Sequence, residues 1–245
     1  MHTSKPSIAE LRAATQPPEI FARNSGEHWA GRLYIRRLSP YATRLFLRLG
    51  LSADGVTVLF ILTGLAAAGV LCLDGVLPAL GAFLLIQLQI LLDCSDGEVA
   101  RWRRQSSVRG IYLDRIGHYL TEAALPIALG IRTGEEQLGL VVAVLVLLIK
   151  SETALVHLAR AEAGKPPPED REEVAAPRGG LLRTVRRSLR MLPFYRAFVA
   201  MEFTLLVLAA ELAGLDRTLL IALVPVAAVT ALGHLVAIVT SDRLR

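Results

Sequence analysis

Three aspartates and a histidine fall within the 26 residues from Asp93 to His118, at spacings that gather them onto two helical faces. Asp93, Asp96, Gly97, Ala100 and Arg101 stand at offsets of zero, three, four, seven and eight, which share one face of a helix. Gly110, Asp114 and His118 stand at offsets of zero, four and eight, one face of the next helix. A short connection joins the two, so the carboxylate faces can meet. Three converging carboxylates without an obvious internal cation repel one another, and a bound divalent cation is the simplest compensation. Oxygen ligands favour Mg²⁺, Mn²⁺ or Ca²⁺ over Zn²⁺ or copper. The small residues Gly97 and Ala100 leave room for a ligand to approach the backbone. A plainer reading pairs the carboxylates with Arg101, Arg103, Arg104, Arg109 and Arg115 as ordinary interfacial charges. It accounts for single charges better than for shared faces.

The elements that must position these residues read as membrane spans. The chain is 53% hydrophobic and 20% charged, a combination that segregation resolves. Six stretches, 53–73, 77–98, 111–131, 138–158, 195–213 and 219–240, are each close to the ~20 residues that a helical span requires. The acidic cluster sits at the seam of the second and third, where ionisable residues are costly and mark function. The short connections at 74–76, 132–137 and 214–218 imply antiparallel neighbours. The fold class is therefore all-α and polytopic, with six spans.

Lys and Arg fix the orientation. They crowd residues 1–52, 101–115, 150–196 and the C-terminus, and only Arg132 and Arg217 fall at the opposite ends of the spans. Both termini and the acidic cluster are thus expected at the cytoplasmic face of the cell membrane. The net charge of +5 reflects topology and gives no reason to invoke nucleic acid. Residues 1–26 are polar, contain Pro6, Pro17 and Pro18, and read as a flexible cytosolic leader without an apolar signal core. Residues 27–245 read as a single membrane domain. It opens with an amphipathic helix lying on the bilayer, in which Leu33, Leu38, Leu45 and Leu49 interleave with Arg36, Arg37, Arg44 and Arg48. A break is expected near Ser39-Pro40. Residues 161–190 read as a cytosolic linker followed by a basic interfacial segment. Cys72 and Cys94 lie near opposite ends of consecutive spans, beyond disulfide reach.

The stretch DCSDGEVARWRRQSSVRGIYLDRIGHY resembles the signature of the CDP-alcohol phosphotransferases, D-x2-D-G-x2-A-R-x8-G-x3-D-x3-D. Asp93, Asp96, Gly97, Ala100, Arg101, Gly110 and Asp114 match it, and His118 stands where the family has its last aspartate. The resemblance implies a two-metal site, Mg²⁺ or Mn²⁺, with Asp93, Asp96 and Asp114 as ligands. It implies that Gly97, Ala100, Arg101 and Gly110 line the cytidine nucleotide of a CDP-linked lipid. A small polar or phosphorylated alcohol would attack the lipid-bearing phosphorus and release CMP, as in phospholipid synthesis. A homodimer is implied by the resemblance alone.

The departure at His118 leaves three readings: a general base, a ligand for a borderline metal, or a relative that binds CDP-lipid or serves as a membrane scaffold without turnover. A transporter is disfavoured, because nothing polar continues through the outer halves of the spans. Ala53 and Asp54 stand where relatives often carry Pro-Asn, and Asp54 reads as a helix cap. Lys150 and Glu152, which interrupt the fourth span, and Arg196 are the candidates for acceptor recognition.

Overall fold

The computed structural model describes residues 6–17, 29–166 and 194–240. Most of the expected linker and basic segment, at 167–193, and the terminal Arg243 and Arg245 lie outside the described residues. Among the described residues all regular structure is helical. The chain divides into two compact units, Met1–Val70 with Leu80–Thr121, and Leu71–Ala79 with Glu122–Arg245.

The first unit begins inside the stretch expected to be a flexible leader. Helix α1, Ile8–Thr15, is closed by a capping box in which the Ser7 hydroxyl accepts from the Glu10 N–H and the Glu10 carboxylate accepts from the Ser7 N–H. Its Leu11 is fully buried in a cluster with Leu47, Val56, Phe60 and Trp102. Helix α2, Arg36–Arg48, follows a π-turn at Gly31–Ile35 and runs through Pro40 without the expected break. The reason lies in α1. Pro40 has no N–H to give to the carbonyl four residues back, and the Gln16 side chain donates to that carbonyl, Arg36 O, at 2.9 Å. Arg12 likewise donates to Arg37 O at 3.2 Å.

The polarity of α2 is inverted for a helix in water. Ser39 and Thr43 face inward while Leu38, Tyr41 and Leu45 are exposed. The inward hydroxyls donate to Glu98, at 2.5 Å from Ser39 and 2.7 Å from Thr43.

Helix α3, Ala53–Leu71, is capped at its start by Ser52, whose hydroxyl accepts from the Gly55 N–H at 3.1 Å. The cap is thus Ser52 and not Asp54. Helices α4, Val76–Arg103, and α5, Val108–Thr133, meet at a bend at 104–107. Two glycines let these helices approach α3. A Cβ on Gly64 would overlap Thr121 Oγ1 and Gln89 Nε2, which are themselves joined by a 2.7 Å hydrogen bond.

In the second unit, α6 (Glu136–Glu162), α7 (Ala200–Leu212) and α8 (Asp216–Val239) pack together, α6 most extensively with α8. Arg132 is a polar staple here. Its side chain is wholly buried, contacts Glu211 at 2.6 Å and Asp216 at 3.4 Å, and donates to Leu73 O and Gly75 O.

Among the described residues four helices, α3, α4, α6 and α8, are long and apolar enough to cross a membrane. Outward leucines and valines such as Leu62, Leu84, Val144 and Leu232 suit a lipid surround, and the chain is a multi-pass membrane protein. The other two expected spans differ for separate reasons. Helix α5 has the length but carries Arg109, Asp114, Arg115 and Glu122. Helix α7 has 13 residues, a length of ~20 Å against a hydrocarbon core of ~30 Å.

Removing one partner from a buried ionic network strands the others. Arg132→Met is therefore expected to lower stability by ~3 kcal/mol, read as a fall in thermal unfolding temperature in detergent. Arg217→Met, which breaks an exposed pair with Glu135, should leave that temperature nearly unchanged.

Candidate metal centre

Asp93 on α4 and Asp114 and His118 on α5 converge in the first unit, with one ligand atom of each within 4.8 Å of the others. His118 Nε2 lies 3.4 Å from Asp93 Oδ1 and 3.6 Å from Asp114 Oδ1. All three side chains are half-buried, open enough to reach a ligand and enclosed enough to make their mutual charge matter. Two carboxylates and an imidazole at this spacing suit a single divalent cation, and the nitrogen donor tilts the set toward Mn²⁺ or a similar borderline ion.

The imidazole is held from the side. Phe60 on α3 meets the His118 ring edge-on, with centroids 4.9 Å apart. That contact exists because the preceding residue is glycine: a Cβ on Gly117 would stand 2.3 Å from Phe60 Cε1 and 2.7 Å from Ile61 Cγ1.

Asp96, the remaining aspartate, is outside this trio. It is buried one turn along α4 and accepts a 2.7 Å hydrogen bond from the Thr57 hydroxyl on α3. It does line the same open pocket, about 370 Å³ in volume, as Asp93 and Asp114. Gly97, Ala100, Arg101 and Gly110 line it too, so seven of the eight residues singled out between 93 and 118 share one cavity wall. Its size falls within the range of small-molecule sites.

Each wall residue has a local cause. The Arg101 guanidinium folds back over Gly97, where a Cβ would stand 3.0 Å from Nη1. Gly110 is in the first turn of α5, its N–H donating to the capping Ser107 hydroxyl at 2.9 Å, with Asp54 Oδ1 close by. Asp54 itself lines the pocket and pairs with Arg109 at 3.4 Å.

Of the acceptor candidates, all in the second unit, Lys150 pairs with Glu122 at 2.6 Å and Glu152 with His234 Nδ1 at 2.7 Å. Arg196 is exposed in a 3₁₀ turn, Phe194–Phe198. Phe60, Glu98 and Gly117 were invisible as site residues in the sequence, because each acts across a helix–helix contact that no spacing rule reveals.

Gly117→Ala is expected to cost ~1–3 kcal/mol through overpacking and to displace Phe60 from His118, read as a fall in thermal unfolding temperature. Gly69→Ala on α3, where a Cβ meets nothing within 4 Å, should leave that temperature unchanged.

No curated protein matches the sequence. The family model for CDP-alcohol phosphatidyltransferase matches residues 51–232, a span that holds the whole acidic cluster and the helices that carry it. Members of this family are transferases that use divalent metals, in keeping with the trio of ligand atoms described above. On that match the chain belongs to the CDP-alcohol phosphatidyltransferase family.

Proposed function

We propose that this protein transfers a phosphatidyl or other substituted phosphoryl group from a CDP-linked lipid to an acceptor alcohol, releasing CMP, in phospholipid synthesis. The observation that carries the reading is the convergence of Asp93, Asp114 and His118 beside a pocket walled by Asp96, Gly97, Ala100, Arg101 and Gly110. Asp93, Asp114 and His118 would hold Mg²⁺ or Mn²⁺, and Asp96 would contribute to a second ion. A cation held there would neutralise charge on the diphosphate as phosphoryl transfer proceeds.

The protein's own groups do the rest. Gly97, Ala100 and Gly110 let the nucleotide lie against the helices, and Arg101 meets its phosphates. The acceptor oxygen forms a bond to the lipid-bearing phosphorus as the bond to CMP breaks. Asp114 or His118 would receive the hydroxyl proton. Since Nε2 is turned toward both carboxylates, the ligand role for His118 is better supported than that of a free base. Lys150, Glu152 and Arg196 remain the residues proposed for acceptor recognition.

Six spans with cytoplasmic termini, an interfacial α2 and a cytoplasmic-facing site form the proposed topology. The outward leucines of α2 and the one-sided Lys/Arg distribution support it. A homodimer rests on the family resemblance alone.

CMP release from CDP-diacylglycerol across a panel of acceptors tests the reaction. The purified protein should turn over with Mn²⁺ better than with Mg²⁺, and His118→Ala should lose about 10²–10⁴-fold in rate. His118→Asp should stay active with its preference moved toward Mg²⁺. An unchanged metal preference would assign His118 to the base role alone. Donor binding without CMP release from any of these proteins would make the chain a silent binder and overturn the proposal.

A further inference from the structure

Helix α1 precedes residues 51–232, the span that the family model matches, yet it touches a residue of the pocket wall. Its capping box and its buried Leu11 explain how it is built and docked. Leu11 shares a cluster with Val99 and Trp102, which stand on either side of Arg101 in the last turns of α4. The contact with Arg101 falls at the other end of α1. The final carbonyls of a helix have no partner within it, and the Thr15 carbonyl accepts from Arg101 Nε at 2.7 Å. The Thr15 hydroxyl is turned back to Leu11 O at 2.7 Å, so the backbone alone makes this contact. A cation is favoured at that end of the helix dipole.

A loose arginine side chain has many rotamers, and an anion that binds it must freeze them. The Thr15 carbonyl restricts them in advance. With Nε held there, Nη1 and Nη2 lie over Gly97, 3.0 and 3.4 Å from where a Cβ would stand. Arg101 and Gly97 both line the pocket. The paired Nη groups are the face of a guanidinium that suits a phosphate. Gln16 follows α1 and donates to Glu98 Oε1 at 2.8 Å, which ties the same end of α1 to α4 one turn before Arg101.

We infer that α1 is a positioning element of the donor pocket, whose Thr15 carbonyl sets the Arg101 guanidinium for the diphosphate of a CDP-linked ligand. Thr15 touches no ligand and acts only through Arg101. The inference rests on the donor reading above and deepens it, since it gives the N-terminal stretch a part in ligand binding. An α1 that merely buttressed the fold would act on stability, and any effect on nucleotide binding would be independent of Arg101.

The test uses the full-length protein in detergent and measures Mn²⁺ binding, then CDP binding with Mn²⁺ present, by calorimetry. Ala13 is exposed on α1, and Ala13→Pro breaks the helix just before Thr15 without replacing a pocket or cluster residue. It is expected to weaken CDP by ~10-fold and to leave Mn²⁺ affinity at the wild-type value, while Ala13→Ser matches wild type in both. Arg101→Gln should weaken CDP by at least as much, and adding Ala13→Pro to it should cost nothing further, because both changes remove one contact. Losses that add in the double variant would overturn Arg101 as the link. Wild-type CDP affinity in Ala13→Pro would overturn the role of α1. A parallel loss of Mn²⁺ binding in that variant would make α1 a structural support and overturn the inference too. If thermal unfolding shows Ala13→Pro to be unfolded, Ala13→Gly, which loosens the helix less, carries the same cycle. Wild-type protein that binds no CDP would overturn the donor reading itself, and this inference with it.

Discussion

His118 can approach Asp93 because the residue before it has no side chain. Gly117 brings α5 against Phe60 and Ile61 of α3, and Gly64 does the same for the contact among α3, Gln89 and Thr121. Three helices with little amphipathic character, each apolar on most faces, gain little from hydrophobic segregation inside a membrane. Close backbone approach at small residues supplies the packing instead. The acidic cluster depends on that packing, since Asp93 and Asp114, which lie 3.4 and 3.6 Å from His118 Nε2, would otherwise separate to relieve the repulsion between the two carboxylates.

A second constraint is the buried carboxylate of Glu98. It lies one residue beyond Gly97 and points away from the cluster, toward α1 and α2. Three neutral donors from two other elements converge on it, and an unpaired carboxylate in that position would be costly. The polar interior of α2 follows from this need, and its leucines are left facing outward. Thus one acidic residue on α4 explains why α2 carries its hydroxyls inside. Pro40 fits the same logic, as the carbonyl it leaves without a partner is met by Gln16. In the second unit Arg132 plays the converse part, a buried cation satisfied by two carboxylates and two carbonyls.

Much of this protein was legible from its residues. The apolar runs and their length determine an all-helical membrane chain, because a backbone in lipid must satisfy its own hydrogen bonds. The spacing of Asp93, Asp96, Gly97, Ala100, Arg101, Gly110 and Asp114 determines which residues share a face, because helical periodicity is local. Adjacent helices joined by a short bend then had to bring those faces near each other.

Tertiary structure decided what periodicity does not contain. Spacing treated Asp93, Asp96 and Asp114 as equivalent, whereas packing joins two of them to His118 and gives Asp96 to Thr57. Spacing assigned the cap of α3 to Asp54 and a break to Pro40; a nearer serine takes the first role, and a glutamine twenty residues before Arg36, whose carbonyl it meets, removes the second. The polar residues of the N-terminal stretch suggested a chain with nothing to hold it. A capping box closes the helix locally, and one buried leucine docks it against Leu47, Val56, Phe60 and Trp102, which are distant in sequence. Helical faces are fixed over a few residues and can be read in order, while the partners of each face depend on contacts between segments far apart in the chain.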